Sequence, residues 1–431
     1  MARIVLTCWG SHGDVDPFLG LGLGLRARGH DVSIATLEYF RPVIEGAGLG
    51  FHPVRPTVDP TDGTLVERLM HPTRGSEFLL REVLFPSTEA MYEDVSAAAQ
   101  GADLLVSHPI TFATPVVAEH GGIPWASVVL APTSFFSSYD YPALPPAPWL
   151  KSLQRLGHWP GRVIIAAVRQ VSAAWPEPVY RLRERLGLPR GPSPLIEGQH
   201  SPRLVLALYS RVLGSPQPDW PPHVVVTGHI FHDAPHGTSL SPEVESFLQH
   251  GPAPVVFTLG SSAVLVAGRF WHESVSAVRR MGARAILLTG PERTAELQEA
   301  FYGTARGSGG SDVLVLERAP HSLLFGRSAA VVQQCGIGTL AQSLRSGRPM
   351  LAVPHAHDQP DNAWRARALG LARVIAPRKY TARRVAAALQ ALLSEPAYAD
   401  AARRVAGIVR HEDGVAAACD ALERTFLRGQ R

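Results

Sequence analysis

The segment from Glu317 to Asn362 constrains the fold of this chain most: ERAPHSLLFGRSAAVVQQCGIGTLAQSLRSGRPMLAVPHAHDQPDN. An apolar strand, Ala329 to Val332, runs into a glycine-bearing turn, Gln334-Cys335-Gly336-Ile337-Gly338-Thr339. A helix follows, then a second strand, Met350 to Val353, and a polar loop ending in Asp358 and Gln359. A strand that stops at glycines and opens a helix builds an anion site. The first N–H groups of the helix have no partners, and the positive end of its dipole favours phosphate. The second strand offers a further anchor, because open α/β sheets bind ligands at the C-terminal ends of their strands.

The same alternation runs through the chain. Arg3 to Cys8, Asp31 to Thr36, Leu104 to Ser107, Ala126 to Leu130, Leu204 to Leu208 and Val224 to Val226 read as strands. Asp16 to Arg28 and Ala113 to His120 read as helices, as does Gly161 to Leu186 with a break at Trp175-Pro176. Gly20, Gly22 and Gly24 in the first helix are expected to allow close packing on the sheet, since each weakens the helix itself. They do not form GxGxxG, and no dinucleotide site is read there. Gly228 to Pro242 is polar and rich in Gly, His and Pro, as a linker is. The alternation restarts with Val255 to Leu259, Ala285 to Leu288, Val313 to Leu316, Ala330 to Val332 and Met350 to Val353. This pattern predicts an α/β protein with two Rossmann-like, doubly wound parallel-sheet domains facing a cleft. The expected divisions are an N-terminal domain over 1–227, a linker over 228–242 and a C-terminal domain over 243–412, followed by a helical segment over 413–431.

Length agrees, because 431 residues exceed a single core. Net charge is only +4, with Lys and Arg scattered, so no nucleic-acid partner is expected. The 37 prolines imply long ordered loops, where specificity often resides. Cys8, Cys335 and Cys419 lie far apart, which suggests neither a zinc site nor a disulfide framework and fits a reducing cytoplasm. The chain enters a strand at once, without a signal-peptide pattern. No apolar run approaches the roughly 20 residues of a membrane span, which leaves peripheral membrane contact open.

Several pieces of the segment occur together in a fixed order: Ala319-Pro320, Cys335-Gly336-Ile337-Gly338-Thr339, Gly347-Arg348-Pro349 and His355-Ala356-His357-Asp358-Gln359. Near the N-terminus, Gly10-Ser11-His12-Gly13-Asp14-Val15-Asp16-Pro17 follows the first strand. With these pieces the chain resembles the family 1 glycosyltransferases of GT-B fold, in the bacterial antibiotic, sterol and rhamnolipid-type branch. The resemblance spans nearly the whole chain and is loosest between about residues 50 and 200. It implies that the C-terminal helix crosses back to the first domain.

The resemblance also implies roles. Asp14 matches the aspartate of the bacterial Gly-Asp-Val members, in the turn where plant relatives carry their catalytic histidine. Transfer to a hydroxyl needs a base for its proton, and aspartate there serves equally as a helix N-cap. His12 is the second candidate base. His108, at the end of the strand Leu104 to Ser107, replaces an aspartate of the plant relatives, so an Asp14–His108 dyad is expected. Asp14-Val15-Asp16 spells DxD, but its place in the chain argues against a metal, and none is expected. Gly13, Gly260, Ser261, Ser262, Gly336, Ile337, Gly338 and Thr339 match positions around the donor phosphates. Asp358 and Gln359 match the residues that hold the sugar hydroxyls, with Asn362 assisting. The chain departs from the family in two places. Relatives carry a histidine toward the diphosphate at one of the two positions held here by Gln333 and Gln334. Arg318 stands where relatives stack Trp or Tyr on the base, so base contacts are expected from the Arg318-Ala319 backbone.

The expected activity is inverting, metal-independent transfer of a hexose from UDP-glucose or a dTDP-sugar such as dTDP-rhamnose. No cofactor is expected beyond that nucleotide sugar as co-substrate. The acceptor is expected to be a hydrophobic small molecule, held by the aromatic stretch containing Phe135, Phe136 and Tyr139. Two alternatives stay open at this point. One is a weak or inactive sugar-nucleotide-binding partner protein, raised by the missing histidine. The other is a non-hydrolysing UDP-sugar epimerase.

Overall fold

A computed structural model describes residues 1–59, 62–233, 237–302 and 312–427. The chain divides into two compact units. The first comprises Met1–Asp59, Thr73–His232 and Glu412–Arg431; the second comprises Pro60–Pro72 and Asp233–His411. The stretch read as a linker, Gly228 to Pro242, lies partly outside the described residues.

The first unit is built on β1 (Arg3–Thr7), β2 (Asp31–Thr36), β3 (Gly50–Pro53), β4 (Leu104–Ser107), β5 (Trp125–Val129), β6 (Val205–Ala207) and β7 (Val224–Val226). Their order across the sheet is β3-β2-β1-β4-β5-β6-β7, and every pairing is parallel. The inner strands are continuous apolar runs because helices cover both faces of a parallel sheet. Ile4, Val5, Leu6, Leu104, Leu105 and Val106 are fully buried.

The first helix, His12–Ala27, begins four residues earlier than the sequence pattern suggests. Ser11 is its N-cap, and Asp14 closes a capping box by accepting the Ser11 N–H. Its glycines serve more than sheet packing. A side chain at Gly22 would press on Leu6 and Leu49, whereas one at Gly24 would overlap Val415 and crowd Cys419. The helix Gly414–Leu422 therefore lies directly against the first helix. Arg28 fastens the contact by donating to Asp420 at 2.6 Å and to Glu423 at 3.2 Å.

The second unit holds β8 (Val255–Thr258), β9 (Ala285–Leu288), β10 (Val313–Leu316), β11 (Ala330–Gln333), β12 (Met350–Ala352) and β13 (Ala372–Val374). Their order is β10-β9-β8-β11-β12-β13, again all parallel. Its main core gathers Phe257, Trp271, Leu287, Val332, Leu351 and Leu389. Val66 and Met70, from the short helical segment Gly63–Leu69 and its cap, join that core although they precede most of the first unit in sequence. Among the described residues, no helix is long and apolar enough to cross a membrane.

Candidate active site

Each sheet reverses its winding once. In the first unit the reversal falls between β1 and β4, which pair from Ile4↔Leu104 to Thr7↔Ser107. In the second it falls between β8 and β11, which pair from Ala330↔Val255 to Val332↔Phe257. Adjacent strands whose connections leave in opposite directions open a crevice at their C-terminal ends. The candidate residues collect at these two places.

In the first unit, the first turn of the helix after β1 carries Asp14, and His108 directly follows the last residue of β4. His108 Nε2 lies 3.4 Å from Asp14 Oδ1. The second carboxylate oxygen is spoken for: Asp14 Oδ2 accepts the Ser11 N–H at 2.8 Å and the Ser11 hydroxyl at 3.1 Å. Asp14 is thus the third residue of the helix and not its cap. The structure allows both the capping and the dyad roles because each uses a different oxygen. The Ile110 N–H points at His108 Nδ1 at 3.4 Å, which leaves the proton of a neutral ring on Nε2, facing the carboxylate. Thr111 donates to the His108 carbonyl at 2.9 Å and Phe18 packs edge-on against the ring, so the imidazole has a fixed position. The His108 side chain is 4% exposed, against 31% for Asp14, so the carboxylate is the member open to a substrate. Burial pushes the Asp14 carboxyl upward. The His108 hydrogen bond and charge, together with the Ser11 donors, outweigh it and hold the group below its ordinary value.

His12 is not part of this pair. Its Nδ1 lies 3.3 Å from Asp16 Oδ1, and its ring meets Phe40 and Tyr39 edge-on. The two carboxylates of the DxD spelling therefore engage different partners. Ser11, which orients Asp14, was not picked out from sequence. The Ser-x-x-Asp spacing, a short form of the capping box, is the signal that marks it.

In the second unit, the turn after β11 uses Cys335 in a left-handed conformation (φ 68°). The helix Ile337–Ser346 then starts at Gly336 without a side-chain cap. Its first N–H groups and its dipole suit an anion. Gln333 and Gln334 lie in different surroundings. Gln333 is fully buried, and its Oε1 accepts the Cys335 N–H at 2.7 Å, which shapes the turn from beneath. Gln334 Nε2 donates to Thr339 Oγ1 at 3.3 Å, while its Oε1 is buried without a partner among the described residues. Its amide lies over Gly260 in the loop after β8: a Cβ there would overlap Gln334 Nε2, and Gly260 has φ +67°. Ser261 is exposed and Ser262 half-buried in the same loop.

After β12, Gln359 Oε1 accepts the His355 and Ala356 N–H groups at 2.8 and 3.3 Å, which leaves its amide nitrogen unengaged among the described residues. Asn362 donates both to Asp358 Oδ2 at 2.7 Å and to the Cys335 carbonyl at 2.9 Å. It ties the Asp358 loop to the turn after β11. The helix behind it is held by a buried pair, Arg365 to Asp361 at 2.6 Å. Arg318 points outward, 81% exposed and paired with Glu317. Ala319 is half-buried against the second unit's smaller apolar cluster.

The aromatic stretch is less uniform than its composition suggests. Phe135 is 5% exposed and stacked on Trp220 and His200. Little of this ring is open to a ligand, so the structure gives Phe135 a packing role beside the acceptor role expected of it. Phe136 is half-buried beside Tyr141 and Ile164, and Tyr139 is 38% exposed, stacked on His158.

Residues 308–413 match the erythromycin biosynthesis protein CIII-like C-terminal domain, and residues 4–132 match the glycosyltransferase family 28 N-terminal domain. The chain is 35% identical, over 98% of its length and 97% of the relative's, to O-mycaminosyltylonolide 6-deoxyallosyltransferase of Streptomyces fradiae. The chain belongs to the bacterial antibiotic-type branch of the family 1 glycosyltransferases. It is a glycosyltransferase, and its fold is GT-B. Solved structures agree on the fold. The glycotransferase of kitacinnamycin superposes with a TM-score of 0.74 at 21% identity, covering 99% of both chains. Glycosyltransferase VinC in complex with dTDP gives 0.68 at 21% identity, covering 99% of this chain and 100% of that one.

Proposed function

We propose that this glycosyltransferase moves a hexose from a nucleoside diphosphate sugar to a hydroxyl of a hydrophobic small molecule, with inversion at the anomeric carbon and without a metal. The pairing of Asp14 Oδ1 with His108 Nε2 carries the reading. It supplies one exposed, oriented carboxylate at the winding reversal of the first sheet. The 6-deoxyallosyl transfer named for the Streptomyces fradiae relative, and the dTDP held by VinC, favour a dTDP-linked deoxyhexose over UDP-glucose.

In this reading the acceptor oxygen forms its bond to the anomeric carbon as the bond to the diphosphate breaks. The diphosphate leaves with the electron pair. The acceptor hydroxyl becomes strongly acidic as the new bond forms, so a carboxylate of low pKa is an adequate base late in the step. Asp14 Oδ1 takes the proton. His108 positions that oxygen and steadies the carboxylate beforehand. The departing charge is met by the helix start at Gly336 to Thr339 and by the Gln334 amide, groups already oriented before the reaction. The Gln359 amide and Asp358 suit sugar hydroxyls, because one donates and the other accepts. Phe136 and Tyr139 offer partly open aromatic faces for an apolar acceptor.

The test is a transfer assay of the purified protein with dTDP- and UDP-sugars and a panel of lipophilic alcohols and phenols, read by mass spectrometry with EDTA present. A glycosylated acceptor of inverted configuration supports the reading. Transfer that appears only when a divalent cation is restored, or with retained configuration, overturns it.

A further inference from the structure

The edge of the second sheet beside β13 concentrates positive charge that the sequence spreads over 20 positions. No acidic residue occurs between Asp361 and Glu395, whereas Arg365, Arg367, Arg373, Arg378, Lys379, Arg383 and Arg384 all do. Arg365 is spent on Asp361. The helix Gln359–Ala368, β13, the turn Pro377–Lys379 and the helix Ala382–Ser394 bring four of these residues to an open pocket of about 770 Å³. Arg367, Arg373, Lys379 and Arg384 line it, with no acid among the lining residues. Arg373 donates to the Tyr398 hydroxyl at 3.3 Å, while Arg367, Lys379 and Arg384 meet no carboxylate among the described residues. Tyr398 and Ala388 contribute an aromatic and an apolar wall.

Charges on an edge strand also discourage pairing with another sheet, and Arg373 alone would do that for β13. It does not account for cations converging from three further elements on one concavity. Like charges held together repel, and an anion with several negative oxygens relieves them at once. The pocket shares no lining residue with the turn after β11 or the loop around Asp358 and Gln359. We propose that it is a second anion site, separate from the donor residues, which binds a small oligophosphate. The apolar wall admits an organic group on that phosphate chain, so a free oligophosphate and a nucleotide carry the same recognition chemistry.

The experiment is calorimetric titration of the full-length protein with inorganic tripolyphosphate at near-physiological salt, alone and with saturating dTDP. One saturable site that persists with dTDP present is expected. Arg373→Gln with Arg384→Gln should weaken it by about tenfold, the effect of two exposed charges, with dTDP affinity unchanged. A nucleoside triphosphate that binds tighter than tripolyphosphate, and loses that advantage in the variant, identifies a nucleotide as the ligand; equal affinities identify the phosphate chain alone. No saturable heat at millimolar tripolyphosphate overturns the proposal, as does binding that dTDP abolishes or that the double variant retains. If the double variant does not fold, the dTDP competition on the unaltered protein decides.

Discussion

His108 holds one oxygen of Asp14 while Ser11 holds the other, so the carboxylate is fixed from two sides and still 31% exposed. The carboxylate sits in the first turn of the helix after β1 and the imidazole at the buried end of β4. The buried member then cannot be the base that meets a substrate.

Asp14→Asn keeps the size and the capping acceptor but cannot take a proton. Turnover should fall by about 10²- to 10⁴-fold, with dTDP affinity nearly unchanged. Single-turnover kinetics beside nucleotide titration would separate the two. Activity within about twofold of the unaltered enzyme would assign proton removal to His12 or to water.

The pH dependence has a definite sign. The Asp14 carboxyl is lowered from its ordinary value of 3.8, so it stays ionised through neutral pH and any acid limb it causes in kcat/KM lies below that value. Stability from its interactions is fully present above the unfolded value and is lost as pH falls through the lower folded one. His108→Ala removes the largest lowering contribution while burial remains, so the acid limb should move upward and kcat should drop. A profile that does not move between pH 3.5 and 7, measured on both proteins, would reject His108 as the positioning partner.

Much of this arrangement was legible in the sequence because the inner strands are fully buried apolar runs. Among the inner strands β2, β4 and β9 coincide with their sequence readings residue for residue, and the edge strands β7 and β10 do so too because they keep apolar runs. The two strands not anticipated, β3 and β13, are edge strands whose residues are largely exposed or half-buried, and they carry no apolar run to announce them. The association of Pro60–Pro72 with the second unit could not be read locally either. It depends on where Val66 and Met70 find apolar neighbours, which is a property of the whole fold. Composition grouped Phe135 with Phe136, yet their backbones diverge at Phe136 (φ 47°), which sends neighbouring rings to different environments.

The two glutamines should respond differently to histidine. Gln334 lies over Gly260 and the helix start, so Gln334→His places a ring where it can donate to a diphosphate. A charge-assisted hydrogen bond is worth about 1.5–3 kcal/mol, and turnover should rise roughly tenfold or more. Gln333→His removes the acceptor for the Cys335 N–H inside a closed space, and should cost about 1–3 kcal/mol of stability without raising kcat. Thermal melts and kcat for both variants check this. A gain from Gln333→His in place of Gln334→His would reverse the assignment.

Gly260→Ala tests the same surface from the opposite loop. The new methyl would overlap the Gln334 amide, and φ +67° disfavours any side chain. The donor KM should rise severalfold or more, with the acceptor KM little changed. Unaltered donor kinetics in a correctly folded variant would remove the loop after β8 from the donor site.

The aromatic stretch separates packing from recognition. Phe135 is buried and stacks on Trp220 and His200, with centroids at 3.9 and 5.5 Å. Phe135→Ala should therefore lower stability by about 3–5 kcal/mol, as loss of a buried aromatic does, and its kinetic effects should follow the folded fraction. Tyr139 and Phe136 keep accessible ring surface, so Tyr139→Ala and Phe136→Ala should raise the acceptor KM severalfold and leave the donor KM and melting temperature close to those of the unaltered protein. Melting curves and two-substrate kinetics on the three variants decide between the roles. Equal effects on both substrates from Tyr139→Ala, or a stability loss as large as that of Phe135→Ala, would make the stretch a structural cover and place the acceptor elsewhere.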